Sequence, residues 1–173
     1  MGDFWVFGYG SLIWRPGFQH VETKRARLFG YRRSLCVYSF VYRGTPERPG
    51  LVLGLDRGGS CVGVAFRVPA DQREEVLAYL REREQVNHVY VERMVRLLLE
   101  DGETVEAVAY VADRTHSQYA GALDEPDAAA VVSGAVGQAG PNEAYVLNTV
   151  EHLRTLGIRD RWLEDVARRI VPA

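Results

Sequence analysis

The sequence predicts an α+β fold. Apolar, β-branched and aromatic runs of strand length fill the first two-thirds of the chain and are interrupted by one helical pattern. Three helical patterns then gather at the C-terminal end, so strands and helices are segregated along the chain and do not alternate. With 173 residues, 47% hydrophobic and 25% charged, the composition is that of an ordinary globular protein, and one domain over residues 1–173 is expected.

Residues 4–7, Phe-Trp-Val-Phe, carry no charge and read as a buried strand. The strand runs into Gly8-Tyr9-Gly10-Ser11, where glycine permits a positive φ and leaves amide groups uncovered. Such a segment is either a tight turn with an exposed tyrosine or a backbone cradle for an anion or oxyanion. Arg15-Pro16-Gly17 is a turn. Residues 25–31 alternate charged and apolar side chains and read as a strand, and residues 34–41 continue in β-rich composition. Residues 43–50 form a loop stiffened by Pro46 and Pro49. Residues 51–55 and 61–68 read as a hairpin whose loop is Asp56-Arg57-Gly58-Gly59-Ser60.

After Pro69, Ala70-Asp71 reads as an N-capped helix start with acids in the first turn. Val76, Leu77 and Leu80 give this helix its apolar face, and it ends near residues 81–84. Residues 90–99 and 103–112 are two strands joined through Asp101-Gly102. Residues 113–123 are irregular. Pro126 suits the first turn of a helix through 128–136, which residues 137–141 break. Asn142 is expected to cap a helix carrying Val146, Val150 and Leu153, stopped by Gly157. Residues 160–170 form the last helix, with Leu163, Val166 and Ile170 inward.

Several classes of function are set aside. A net charge of −2 provides no global basic field, so neither a nucleic-acid nor a membrane partner is expected. The local cluster Lys24, Arg25, Arg27, Arg32 and Arg33 reads mainly as a solvated face. Cys36 and Cys61 lack CxxC spacing and are expected to be buried thiols. The N-terminus has no basic stretch with a cleavage site, and no 18-residue apolar run occurs, so a cytoplasmic location is expected. His20, His88, His116 and His152 are scattered without metal-ligand spacing, so no metal site is expected. His88 and His116 lie in candidate functional loops. Ser11 is not in a GxSxG context, and the glycines match neither a P-loop nor a dinucleotide fingerprint.

The second stretch of interest is Arg81-Glu82-Arg83-Glu84. Mixed-charge helix ends are usually solvated, yet a half-buried carboxyl there gains proton affinity and suits proton transfer near neutrality. Glu84, at the junction where the helix stops, is better placed than Glu82 to point inward.

These residues resemble a family. The run from Val6 to Trp14 looks like the signature of the ChaC-type γ-glutamylcyclotransferases, which act on glutathione. Further blocks resemble it in the same order: Arg43-Gly44-Thr45-Pro46 with Pro49-Gly50, residues 61–67, Tyr79-Leu80 with Arg83-Glu84 and Tyr90, and Asn142-Glu143-Ala144-Tyr145. The resemblance implies a mixed β-barrel with flanking helices, no cofactor, and cleavage of glutathione into 5-oxoproline and cysteinylglycine. It places the catalytic glutamate at Glu84 and the substrate loop at Val6, Phe7, Gly8, Tyr9, Gly10, Ser11 and Leu12. Arg43, Tyr90, Tyr119 and Tyr145 match positions that line the pocket. Glu82 departs from the family pattern, where an apolar or aromatic residue is common, and residues 85–89 replace a shorter, glycine-containing link. Two alternatives stay open: a cyclotransferase acting on other γ-glutamyl amino acids or amines, and a non-catalytic module that binds a γ-glutamyl ligand.

Overall fold

Five strands close into a barrel in the order β1-β3-β2-β4-β5. In the computed structural model, which describes residues 2–84 and 88–170, they are β1 (Phe4–Gly8), β2 (Glu22–Ser39), β3 (Gly50–Val68), β4 (Tyr90–Leu99) and β5 (Thr104–Ala112). The continuous apolar run of β1 follows from its position: it pairs antiparallel with β3 on one side, Phe4↔Val68 to Gly8↔Val64, and parallel with β5 on the other. A strand bounded on both edges and buried on both faces has no use for polar alternation. Helices α1 (Ser11–Trp14), α2 (Arg73–Glu84), α3 (Glu125–Val132), α4 (Asn142–Thr155) and α5 (Arg161–Arg169) complete the α+β architecture. Among the described residues, no helix is long and apolar enough to cross a membrane.

The chain divides into two compact units, Met1–Arg33 with Leu55–Asp113, and Ser34–Gly54 with Arg114–Ala173. The core of the first unit joins Trp5, Phe7, Leu28, Leu55, Leu97 and Leu99 with the small residues Ala107 and Ala109. The Asp101-Gly102 turn joins β4 and β5, whose register runs from Tyr90↔Ala112 to Leu98↔Thr104. Gly102 takes φ 89° there, and Lys24 Nζ holds Asp101 at 2.6 Å.

Residues 25–31 and part of 34–41, the two β-rich stretches, run together as the single strand β2. Residues 51–68 likewise belong to one strand, β3, and not to a hairpin. Gly58 and Gly59 do take positive φ, 100° and 69°, but inside the strand, where such glycines mark a bulge or bend. Arg32 pins this place: its Nη2 lies 3.2 Å from Oδ2 of the buried Asp56, and its Nη1 donates to the Arg57 carbonyl.

The start of α2 is also corrected. A 3₁₀ turn, Ala70–Gln72, precedes it, Pro69 occupies the cap position, and Asp71 makes no capping bond. The acids of the first turn are present as expected, at Glu74 and Glu75.

In the second unit, α5 packs on α3 and α4. Ala128, Ala129, Val132, Val146, Leu153, Leu163 and Val166 are buried. Asp124 and Asp160 cap α3 and α5 by accepting from the amides of Asp127 and Leu163. Helix α3 stops at Val132, short of the expected 136, because Val136–Gly137 pairs with Gly140–Pro141 as a two-stranded ribbon. Ile170 lies past the end of α5 and is only half-buried.

Asn142 does not cap α4. It is the first residue of that helix, fully buried, and its side chain serves a different segment. Its Oδ1 accepts from Leu51 N and its Nδ2 donates to Leu51 O, both at 2.8 Å, so one amide satisfies both polar groups of a buried backbone residue. Cys36 and Cys61 are buried free thiols.

Candidate active site

The strand β1 delivers the Gly-Tyr-Gly-Ser segment from a rigid base. Val6 and Phe7 are buried in the barrel, and Leu12 is buried in α1. Tyr9 is half-buried and packs against the barrel core, while Ser11 is exposed. Neither Gly8 nor Gly10 uses the positive φ open to glycine; Gly10 sits at φ −143°, ψ −129°. Close packing explains Gly8 instead. A Cβ there would stand 3.2 Å from Phe66 Cε2 and 3.4 Å from Ile13 Cγ1. Past Gly10 the chain turns into α1, with Ile13 N donating to Gly10 O at 2.9 Å and Arg15 N to Ser11 O at 2.8 Å.

Two arginines hold this segment by its carbonyls. Arg33 is not part of a solvated face; it is 5% exposed. Its Nε donates to Tyr9 O at 2.6 Å and its Nη2 to Val62 O at 2.7 Å. In a trans peptide the N–H points opposite to the C=O, so anchoring Tyr9 O fixes the direction of the Gly10 N–H. Arg83, on the last turn of α2, donates Nη1 to the carbonyls of Arg15 and Pro16 and Nη2 to Ser11 Oγ.

Glu84 closes α2 beside Arg83, with its Oε1 3.7 Å from Arg83 Nε and its side chain 20% exposed. Burial pushes its carboxyl above the ordinary glutamate range, and the neighbouring Arg83 cation only partly opposes this. Glu82, two residues earlier, is exposed. Between the two carboxylates of this helix end, only Glu84 has the half-buried setting that raises proton affinity.

A tyrosine adds a second polar group. Tyr110 on β5 is buried and donates to Glu92 Oε1 at 2.8 Å, across the β4–β5 pairing Glu92↔Tyr110. Arg81 grips Glu92 through Nε and Nη2 at 2.9 and 3.0 Å. Burial first, then the Glu92 hydrogen bond, pushes the Tyr110 hydroxyl far up, and the charge of Glu84 adds to it. Tyr110 therefore stays a protonated donor. The Arg81 and Tyr110 bonds hold Glu92 below its usual range despite its partial burial, so it stays ionised near neutrality.

The sequence-predicted site residues fall in both units. Val6, Phe7, Gly8, Tyr9, Gly10, Ser11, Leu12, Glu84 and Tyr90 belong to the first, and Arg43, Tyr119 and Tyr145 to the second. Tyr90 is the half-buried first residue of β4. Arg43 and Tyr145 come together, the guanidinium carbon 5.4 Å from the ring centroid, while Arg43 Nη1 donates to Pro141 O at 3.1 Å. The Tyr145 hydroxyl accepts from Leu53 N at 2.9 Å. Tyr119 bridges to Val37, and Arg114 lies over its ring. His116 Nδ1 accepts from Gln118 N at 3.0 Å. His88 is exposed at φ 58°, and residues 85–87 of the atypical link lie outside the described residues. Among the described residues, no group of three or more His, Cys, Asp or Glu is arranged to hold a metal ion.

Sequence reasoning missed Arg33 and Tyr110. A lone arginine pair in a strand gives no sign of which member is buried. The Glu92↔Tyr110 pairing becomes visible only once the strand register is known.

The closed barrel thus carries a glycine loop at the end of its first strand, bonded to a helix that ends in a half-buried glutamate. A crystal structure of a γ-glutamylcyclotransferase specific to glutathione from yeast superimposes with a TM-score of 0.86, covering 98% of this chain and 96% of that one at 21% identity. The sequence matches ChaC-like protein over residues 4–171, and the chain belongs to the ChaC-like family. The glutathione-specific γ-glutamylcyclotransferase of Escherichia coli K12 is 34% identical over 95% of this chain and 71% of its own length. The γ-glutamylcyclotransferase 2-3 of Arabidopsis thaliana is 31% identical over 96% and 87%. The glutathione-specific γ-glutamylcyclotransferase 1 of Danio rerio is 34% identical over 88% and 80%.

Proposed function

We propose that this chain, acting as one catalytic domain, is a glutathione-specific γ-glutamylcyclotransferase that releases 5-oxoproline and cysteinylglycine, with Glu84 as its proton-transfer group. The observation that carries the reading of the site is Glu84 itself: a carboxyl with raised proton affinity beside an arginine bonded to Ser11 of the glycine loop. The family match over residues 4–171, which takes in residues of both units, supports the rest.

The chemistry needs little else. The substrate's α-ammonium must lose a proton before its nitrogen attacks the γ-carbonyl carbon. Glu84 takes that proton, the new C–N bond closes the five-membered ring, and the carbonyl oxygen becomes an oxyanion. As the old γ-amide C–N bond breaks, Glu84 returns the proton to the departing cysteinyl nitrogen, and the ring nitrogen, which keeps a second ammonium proton after the attack, passes it to the freed amine, leaving a neutral lactam and a cysteinyl ammonium. One carboxylate thus serves as base and then as acid, and no water or external nucleophile is consumed. The attack is intramolecular, so holding the folded substrate conformer supplies much of the rate. Backbone N–H groups around Tyr9 to Leu12 are the donors for the oxyanion, each important donor contributing roughly 3–4 kcal/mol in comparable sites. Val6 and Phe7 act by fixing the strand end that carries this loop. Tyr90 serves as a wall of the first unit. Arg43 and Tyr145 pair within the second unit, where Tyr119 also lies.

Substrate range is tested by comparing turnover of glutathione with that of γ-glutamyl-L-alanine. A kcat/KM for glutathione higher by at least about 10-fold, the scale of a modest pocket preference, is expected. Equal values for the two would replace glutathione specificity with a general γ-glutamyl activity.

A further inference from the structure

One branched polar contact of the first unit is made by a residue to which the mechanism above gives no step. Arg83 Nη1 reaches the carbonyls of Arg15 and Pro16, the latter at 3.1 Å, and the Tyr79 hydroxyl, also at 3.1 Å. Its Nη2 reaches Ser11 Oγ at 3.3 Å. The guanidinium therefore bonds the segment at Ser11, the first residue of the short helix α1, and again at Arg15 and Pro16, just past its end. Tyr79 lies one helical turn before Arg83 on α2, so both side chains project from the same face.

A second observation shows that this junction is built tightly. Gly17 sits at φ 71°, and a Cβ there would overlap the Tyr79 hydroxyl and stand 2.7 Å from its ring carbon Cζ. The turn after Pro16 thus lies directly against Tyr79, where a side chain has no room. Phe18 packs against the Tyr79 ring, at 6.5 Å between centroids. The titratable groups that interact with Glu84 are the Arg83 cation on α2 and, on β5, the Tyr110 hydroxyl, which stays protonated and uncharged.

Resting on the proposed reaction, we infer that Arg83 is a positioning residue: its guanidinium locks the Ser11 loop to the end of α2, so that loop and Glu84 keep one geometry during proton transfer. It does not touch the reacting atoms. Its planar fork spreads donors in fixed directions over separated acceptors, a geometry that a compact ammonium does not reproduce. It also places a cation beside the Glu84 carboxylate.

The two roles separate in two variants, measured with glutathione across pH alongside wild type and Glu84→Gln, with thermal melts of each protein. Arg83→Lys keeps the charge and loses the fork. Its kcat is expected to fall by about 10-fold or more, the effect of loosening a reactive geometry by a fraction of an ångström, with KM little changed. The acid limb of its pH profile stays where wild type has it. Arg83→Met loses both, so kcat falls further and the acid limb moves to higher pH. Wild-type kcat and pH limb in both variants would overturn the inference. So would activity losses matched by equal losses of folded protein, with kcat per folded molecule unchanged. An inactive wild type would instead overturn the functional reading, and the inference with it.

Discussion

Replacing Glu84 by glutamine is expected to remove 5-oxoproline release from glutathione while leaving the fold intact. The loss should be on the order of 10²–10⁴-fold in kcat, the usual contribution of a positioned proton-transfer group. Glu82→Gln should retain near-wild-type turnover, because Glu82 is exposed at the same helix end. Product chromatography on both variants decides between the carboxylates; a dead Glu82→Gln with an active Glu84→Gln would reverse the assignment. The pH dependence has a definite sign. The Glu84 carboxyl is pushed above its ordinary range, chiefly by burial. The base form is therefore lost as pH falls through that raised value, and kcat falls on the acid side. For stability the sign is opposite to that of a salt-bridged carboxylate. An acid whose folded pKa lies above its unfolded one destabilises the fold once ionised, and this penalty grows as pH rises from the unfolded to the folded value. Glu84→Gln should accordingly melt no lower than wild type at neutral pH. Such a gain in stability with a loss of activity is the common trade at a strained functional position.

The second large effect is expected at Gly63 on β3. A Cβ there would overlap the Gly8 carbonyl oxygen and approach Phe7 Cζ to 2.8 Å and Phe7 Cε1 to 3.0 Å. Neither neighbour can yield easily. Gly8 is held in the β1–β3 ladder, and Phe7 is 1% exposed in the barrel core. Gly63→Ala must therefore push β1 away from β3 at the root of the glycine loop. Overpacking of this kind costs about 1–3 kcal/mol, more where backbone must move. In a chain of this size each kcal/mol lowers Tm by about 2–4 °C. Because the displaced atoms carry Tyr9 and Gly10, kcat per folded molecule should fall as well. Unchanged melting and kinetics in Gly63→Ala would show that the strands separate freely there.

Legibility in the sequence followed the range of the interactions. The strand β1 was readable because burial on both faces leaves an uninterrupted apolar run, and α5 because Asp160 and its apolar spacing are local signals. The Asp56–Ser60 stretch was misread for a physical reason. Two glycines with positive φ serve a hairpin turn and an in-strand bulge equally well, and the unbroken run of β3 through them is what rules out the turn. Asn142 was misread in the same way. Its position at a helix start suits a cap, whereas its actual partner is Leu51, 91 residues away. At the candidate site, the glycine loop and the Arg83-Glu84 pair were visible as sequence blocks. The buried Arg33 that holds Tyr9 O and the Tyr110 donor depend on strand neighbours that no local pattern encodes.

Incubation of the purified chain with reduced glutathione, followed by chromatographic separation of products, tests the central claim most directly. Equal amounts of 5-oxoproline and cysteinylglycine, formed without added metal or nucleotide and absent with Glu84→Gln, are the expected result. Intact glutathione after prolonged incubation with the folded wild-type protein, or release of free glutamate in place of 5-oxoproline, would contradict it.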